Sequence, residues 1–212
     1  ENFQALNTNS ILNSLYYGKA YMTGMINISG TPDNLVIDIN GKTEKGTEFF
    51  IPLSGPAEVS EHDYIHFVTK DSSKIKAQKE YQVNLSGIQL NFKLEVTPEA
   101  KIELIFDETA GDIMKARGNG NLMLEINTLG NFNMYGEYVV TEGDYLFTLE
   151  NIINKKFIVK DGGTITWNGN PYDAQLDLDA VYKLRAPLSD ITGDTTNTKR
   201  VPVECHMLMT GK

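Results

Sequence analysis

Apolar and polar residues alternate with a period of two through most of the chain. Leu90, Phe92, Leu94 and Val96 are interleaved with Gln89, Asn91, Lys93 and Glu95, and Ile102, Leu104 and Phe106 continue the pattern. It returns at Leu122-Leu124-Ile126, Phe132-Met134, Tyr145-Phe147-Leu149, Phe157-Val159 and Ile165-Trp167, then at Leu176-Leu178-Ala180-Tyr182 and Val203-Cys205-Met207-Met209. Successive side chains of a strand point to opposite faces, so each segment offers one apolar and one polar face. Gly118-Asn119-Gly120, Gly130-Asn131, Glu142-Gly143-Asp144, Asp161-Gly162-Gly163 and Asn168-Gly169-Asn170-Pro171 punctuate the series. They read as hairpin turns, because Gly, Asn and Asp tolerate positive φ or bond their own backbone. Strands every ~8–12 residues with turns between them predict an all-β meander.

One helix is expected near 8–17. Ile11, Leu12, Leu15 and Tyr16 share a face there, Thr8 or Ser10 offers an N-cap, and Gly18 a stop. Tyr21 to Ser29, Leu35 to Asn40 and Thr47 to Leu53 predict further short strands. Between Thr69 and Glu80, Lys70, Lys74, Lys76 and Lys79 make a charged stretch that reads as a solvated loop. The expected organisation is a strand-rich part over 1–69, a linker over 70–80 and a β domain over 81–212, with one sheet running through both. The last alternation runs to the end of the chain and Glu1 stands where an initiator Met would be, so a piece of a longer protein is expected.

Charge narrows the functional classes. With 19 Lys+Arg against 28 Asp+Glu, the 212-residue chain carries −9, and its pI is about 4.8. Nucleic-acid binding wants a basic surface and is not expected. Cys205 is the single cysteine, which excludes an intrachain disulfide and a paired-cysteine zinc site. No run of ~18 apolar residues spans a membrane as a helix.

The chain offers no catalytic set, and neither cofactor nor metal is expected. His62 and His66 are four apart, but the group they bracket lacks the Glu of the metalloprotease pattern. Asp107-Glu108-Thr109-Ala110-Gly111-Asp112 clusters carboxylates around a glycine, yet is shorter than a calcium loop and reads as an Asx-bonded turn. Cys205 falls on the apolar face beside Met207 and reads as a small buried hydrophobe. The remaining feature is the sheet's one-sided apolar surface: Leu122, Leu124, Ile126, Phe132, Met134, Tyr145, Phe147, Leu149, Phe157, Val159, Ile165, Trp167, Leu176, Leu178, Ala180 and Tyr182. A closed barrel, a sandwich or a sheet folded on itself buries such a face equally well. A folded sheet left slightly open makes these residues the lining of a groove for acyl chains or a hydrophobic strand.

An ordered series of short motifs resembles the C-terminal domain of the TamB family, in the form common among Bacteroidetes. It runs from Ile102-Glu103-Leu104-Ile105-Phe106-Asp107 and Gly111-Asp112-Ile113-Met114 through Phe132-Asn133-Met134-Tyr135-Gly136-Glu137-Tyr138 and Glu142-Gly143-Asp144-Tyr145-Leu146-Phe147. It ends with Gly162-Gly163-Thr164-Ile165-Thr166-Trp167-Asn168-Gly169-Asn170-Pro171 and Ala174-Gln175-Leu176-Asp177-Leu178-Asp179-Ala180-Val181-Tyr182. Tyr16-Tyr17-Gly18-Lys19-Ala20-Tyr21-Met22-Thr23-Gly24 and Gly46-Thr47-Glu48-Phe49-Phe50-Ile51-Pro52-Leu53 extend the likeness to the N-terminal part. The resemblance implies a long antiparallel sheet curled into a U-shaped β-taco with an apolar inner groove. It further implies a periplasm-spanning, AsmA-like protein anchored in the inner membrane by a segment outside these residues. Its clients are phospholipid or hydrophobic β-strands, and its partner an outer-membrane barrel of the TamA or BamA type. Outside the family, a closed lipocalin-like barrel for a small apolar ligand, or an adhesion module, fits the same alternation.

Overall fold

The computed structural model describes residues 2–11, 16–31, 34–53, 87–107, 110–127, 131–149, 153–187, 189, 192–193 and 199–211. Among the described residues, twelve strands join in one sheet. In chain order they are β1 (Asn2–Thr8), β2 (Tyr17–Thr31), β3 (Asn34–Thr43), β4 (Glu48–Pro52), β5 (Ile88–Val96), β6 (Lys101–Asp107), β7 (Asp112–Asn127), β8 (Phe132–Leu149), β9 (Ile153–Val159), β10 (Thr164–Gly169), β11 (Gln175–Pro187) and β12 (Arg200–Gly211). The charged stretch over 70–80, together with His62 and His66, lies outside the described residues.

The all-β expectation holds, and the N-terminal helix does not. β1 runs to Thr8 and pairs antiparallel with β2, whose register sets Thr8 opposite Gly18 and Phe3 opposite Met22. The ladder takes up both ends of the stretch expected to be helical; residues 12–15 within it lie outside the described residues. A short amphipathic pattern carries only a weak helix preference, and strand pairing with β2 overrides it.

Three strand pairs behave as single strands broken at a corner. β3 and β4 both pair with the edge of β2 that faces away from β1. β5 and β6 share the edge of β7 opposite β8, and β9 and β10 share the edge of β8 opposite β7. Two pairings, β3 with β5 and β4 with β6, are parallel, so the sheet is not antiparallel throughout. The pairings β2–β3–β5–β7–β6–β4–β2 close a barrel-like ring of six strands, and β1 and β8 to β12 extend from it.

At the corners the sheet doubles over. Phe49 on β4 is level with Ile102, Ala116 and Gly143 across three ladders, and Phe132 lies eleven residues along β8 from Gly143. In a flat sheet that offset is roughly 36 Å at about 3.3 Å per residue. Yet the Tyr16 ring touches both, with centroids 5.9 Å from Phe49 and 5.1 Å from Phe132. The fold is therefore a ring folded at its corners with strands attached, rather than a plain, evenly curled U-shaped trough.

Two expected turns are strand interior. Gly118-Asn119-Gly120 lies inside β7 and Glu142-Gly143-Asp144 inside β8. A Cβ at Gly120 would approach the Glu137 carbonyl oxygen to 2.6 Å, and one at Gly143 the Lys115 oxygen to 2.7 Å. These glycines serve close backbone approach between β7 and β8, beside the bulge at Arg117 and Gly118. Asp161-Gly162-Gly163 is a corner between β9 and β10 rather than a hairpin. The Asp107 turn forms as expected, its carboxylate accepting from the Ala110 N–H at 2.9 Å.

Candidate functional site

The inner face gathers into one core cluster fed by both parts of the chain, from Ile51 and Val96 to Leu178 and Ala180. Inside the folded ring a cavity of about 330 Å³ remains. Its lining includes Leu6 and Tyr16, Met22 from β2, Ile37 and Ile39 from β3, Ile51 from β4, Leu90, Phe92 and Leu94 from β5, and Ile102 from β6. The hydroxyls of Thr43 and Thr47 are turned to the backbone. Thr43 Oγ1 accepts from the Thr97 N–H at 2.9 Å, and Thr47 Oγ1 donates to the Tyr21 carbonyl at 2.9 Å. What the wall presents to the space is almost entirely hydrocarbon. The volume sits at the lower end of the ~300–1,000 Å³ of small-molecule sites.

The candidate groove residues divide among three environments. Leu122, Leu124, Ile126 and Met134 line the cavity, and Phe132 packs against Tyr16 of its lining. Tyr145, Phe147, Phe157 and Tyr182 continue from Phe106 as an aromatic row, successive centroids being 5.7, 6.2, 6.4 and 5.7 Å apart. Lys155 Nζ stands 5.4 Å over the Tyr182 ring at its end. Val159, Ile165, Trp167, Leu178 and Ala180 are buried in the core, and Leu176 packs against it half-buried. Leu149 belongs to β8, and its side chain lies outside the described residues. The N-terminal wall, Leu6, Tyr16, Met22, Ile37, Ile39 and Phe92 among others, was absent from the sequence-based candidates. Alternation marked Ile37, Ile39, Leu90, Phe92 and Leu94 as strand residues, but no local signal says that β2, β3 and β5 fold over β7.

Burial shifts several ionisable groups in this region, and others pair on the outer face. Burial pushes the Tyr138 hydroxyl well above its ordinary value, and burial followed by a hydrogen bond with Asp112 does the same for Tyr145. Burial also raises the Asp112 carboxyl, against a lowering by its bond to Tyr145. On the outer face, Glu103 is buried between Lys101 at 2.6 Å and Lys115 at 3.6 Å. Across β11 and β12, Lys160 Nζ lies 2.7 Å from Asp179 Oδ2 and His206 Nδ1 3.1 Å from Asp179 Oδ1. The Lys160 hydrogen bond is the main reason the Asp179 carboxyl sits below its usual range.

Cys205 is exposed rather than buried. It lies on β12, which among the described residues pairs with β11 alone. Among the described residues, no group of three or more His, Cys, Asp or Glu is placed to hold a metal ion. No helix among them is long and apolar enough to cross a membrane. The described lining of the cavity is apolar and carries no charged residue. A family model described as the TamB C-terminal domain matches residues 1–212. The comparison with curated proteins gave no match.

Proposed function

The chain belongs to the TamB family, an envelope-biogenesis and secretion-related family of non-enzymatic proteins, and on that premise we propose that its folded sheet carries phospholipid between the inner and outer membranes. The family spans the periplasm from an inner-membrane anchor and associates with outer-membrane partners of the TamA type. For this chain, anchoring through a segment outside these residues and engagement of a TamA- or BamA-type barrel follow from the same proposal.

The hydrocarbon-walled cavity inside the ring carries the reading. Each acyl methylene moved from water into such a wall contributes ~0.8 kcal/mol. Among the described residues that line the cavity none is charged, and the Thr43 and Thr47 hydroxyls are bonded to backbone, so the wall favours a chain by its apolar length rather than its identity. An open, taco-like groove for transport then corresponds to the cavity of the ring joined to the aromatic row from Phe106 to Tyr182. A second reading, assistance to outer-membrane β-barrel assembly, draws on β12, whose outer edge carries no strand among the described residues. Such an edge accepts an extended client strand by backbone pairing.

Native mass spectrometry of the chain purified from a bacterial host, followed by lipid extraction, tests the first reading. Co-purifying phospholipid is expected, and it should be lost in Leu90→Arg and Ile37→Arg, both half-buried cavity-wall positions. Circular dichroism of each variant reports whether the sheet is retained. A protein that stays lipid-free after incubation with phospholipid, or folded variants that keep their lipid, would remove the conduit.

A further inference from the structure

The inner face carries a cation. Lys155 of β9 is paired with Phe147 of β8, and the next inner residue along β9 is the buried Phe157. Residues directly opposite in a ladder share a face, so Lys155 rises from the same side of the sheet as the apolar core. Its ammonium stands 5.4 Å over the Tyr182 ring, at the end of the aromatic row that starts at Phe106. Nearby Lys156, Lys160 and Lys183 lie on the outer face, and each meets a carboxylate: Asp144 at 3.4 Å, Asp179 at 2.7 Å and Glu204 at 2.9 Å. Among the described residues no carboxylate pairs with Lys155 in this way. A ring takes up one side of an ammonium that has three N–H donors, so donors remain for an anion.

The other end of the row is acidic. Asp112 opens β7 one step beyond the Ile113–Leu146 pair, which sets it beside Phe147 on the side away from Lys155. Its carboxyl is bonded to the Tyr145 hydroxyl. Asp107, at the bulged end of β6, turns its carboxylate to the Ala110 N–H. The row thus runs from carboxyl groups near Phe106 to an ammonium over Tyr182. Between them it crosses the intervals β6–β7–β8–β9–β11, four steps of about 4.8 Å and roughly 19 Å in all. That length is comparable with an extended fatty-acyl chain.

An amphiphile with an anionic head and an apolar tail matches this polarity in one direction only. With its head at Lys155 it gains a charge-assisted hydrogen bond and lays its tail on aromatic rings. Reversed, the head meets Asp107 and Asp112. We propose that Lys155 is the headgroup contact of the carried phospholipid, its ammonium donating to the phosphate while acyl chain lies along the aromatic row toward Phe106. The assignment rests on the phospholipid reading above and adds to it an orientation and a requirement for phosphate. The uncharged lining of the cavity supplies neither.

Displacement of an acyl-labelled fluorescent phosphatidylglycerol from the chain reads the contact. The competitors are palmitoyl-oleoyl phosphatidylglycerol and palmitoyl-oleoyl glycerol, which has the same tails and no phosphate. The parent should bind the phospholipid about tenfold or more tightly than the diacylglycerol, the ratio that one hydrogen bond to a charged group supports. Lys155→Met keeps an apolar stem and should lose this preference, with diacylglycerol binding unchanged, whereas Lys155→Arg should retain it. Lys155 is exposed, so these variants keep the fold. Lys156→Met, on the outer face, should behave as the parent does. A Lys155→Met protein that keeps the preference, or equal loss in Lys155→Met and Lys156→Met, would overturn the headgroup assignment and leave the conduit standing. Oleate that displaces the probe with the same dependence on Lys155 would make the anion a carboxylate and overturn the assignment to phosphate. A parent that binds neither the phospholipid nor the diacylglycerol removes the conduit itself, and the headgroup contact with it.

Discussion

Gly136 has φ +119° and lies opposite Leu122 of β7 on one side and Trp167 of β10 on the other. A Cβ there would run into the Asn121 carbonyl oxygen, and the backbone angle alone disfavours any L side chain. Gly136→Ala should lower stability by ~1–3 kcal/mol, the usual range for a non-glycine residue forced into such a region; urea unfolding measures it. The sequence places Gly136 inside an alternating run but does not say that the next strand passes so close. Residue depth is equally hidden. Alternation puts Phe147 and Leu178 on the same face, yet Leu178 is 2% exposed and Phe147 only half-buried. An Arg at position 178 therefore tests folding rather than a transport path, and cavity-wall positions such as Leu90 are the informative ones.

At the scale of elements, the corners decide the shape. Where β3 gives way to β4 and β5 to β6, Thr43 and Thr97 are buried and bonded to each other. The Thr97 N–H meets Thr43 Oγ1 at 2.9 Å, and Thr97 Oγ1 meets the Thr43 carbonyl at 3.0 Å. These side-chain bonds carry the ladder across a break that backbone pairing does not span. Thr43→Val keeps the volume but leaves the buried Thr97 N–H without its acceptor, a loss of ~1–3 kcal/mol. The expected result is a lower urea midpoint, with faster amide exchange at the ends of β4 and β6 than at those of β8. An unchanged midpoint and exchange pattern would show that the corner holds without them. In the sequence, Glu44-Lys45-Gly46 and Pro98-Glu99-Ala100 are gaps in the alternation and nothing more. A gap reads alike whether the chain reverses into a hairpin or bends and continues along the same neighbour.

For the molecule as a whole, the contact of Tyr16 with both Phe49 and Phe132 joins positions far apart on the unrolled sheet. The core cluster extends without interruption from Ile51 near the N-terminal end to Ala180 near the other. Strand pairing and core both cross the division expected near 70–80, and a single cooperative unfolding transition should follow, with fluorescence of Trp167 and far-UV circular dichroism coinciding. Two separated transitions would mean that the N-terminal and C-terminal strands fold as independent units.

By itself the sequence determined the all-β class, the apolar and polar faces of most strands, the Asx-bonded turn at Asp107 and the likeness to the TamB family. All of these rest on local periodicity, turn chemistry or ordered motifs, which need no knowledge of distant contacts. Tertiary structure alone decided that Thr8 and Tyr17, the ends of the stretch expected to be helical, belong to strands β1 and β2, that β3 and β4 pair parallel with β5 and β6, and that Gly118 to Gly120 lies inside a strand. It also set which apolar residues pack solid, such as Trp167 and Leu178, and which wall a cavity, such as Leu90 and Phe92. The physical reason is common to all of these. A strand's pattern fixes which face is apolar, whereas the partner at its edge and the layer over its face are chosen by segments far away in the chain.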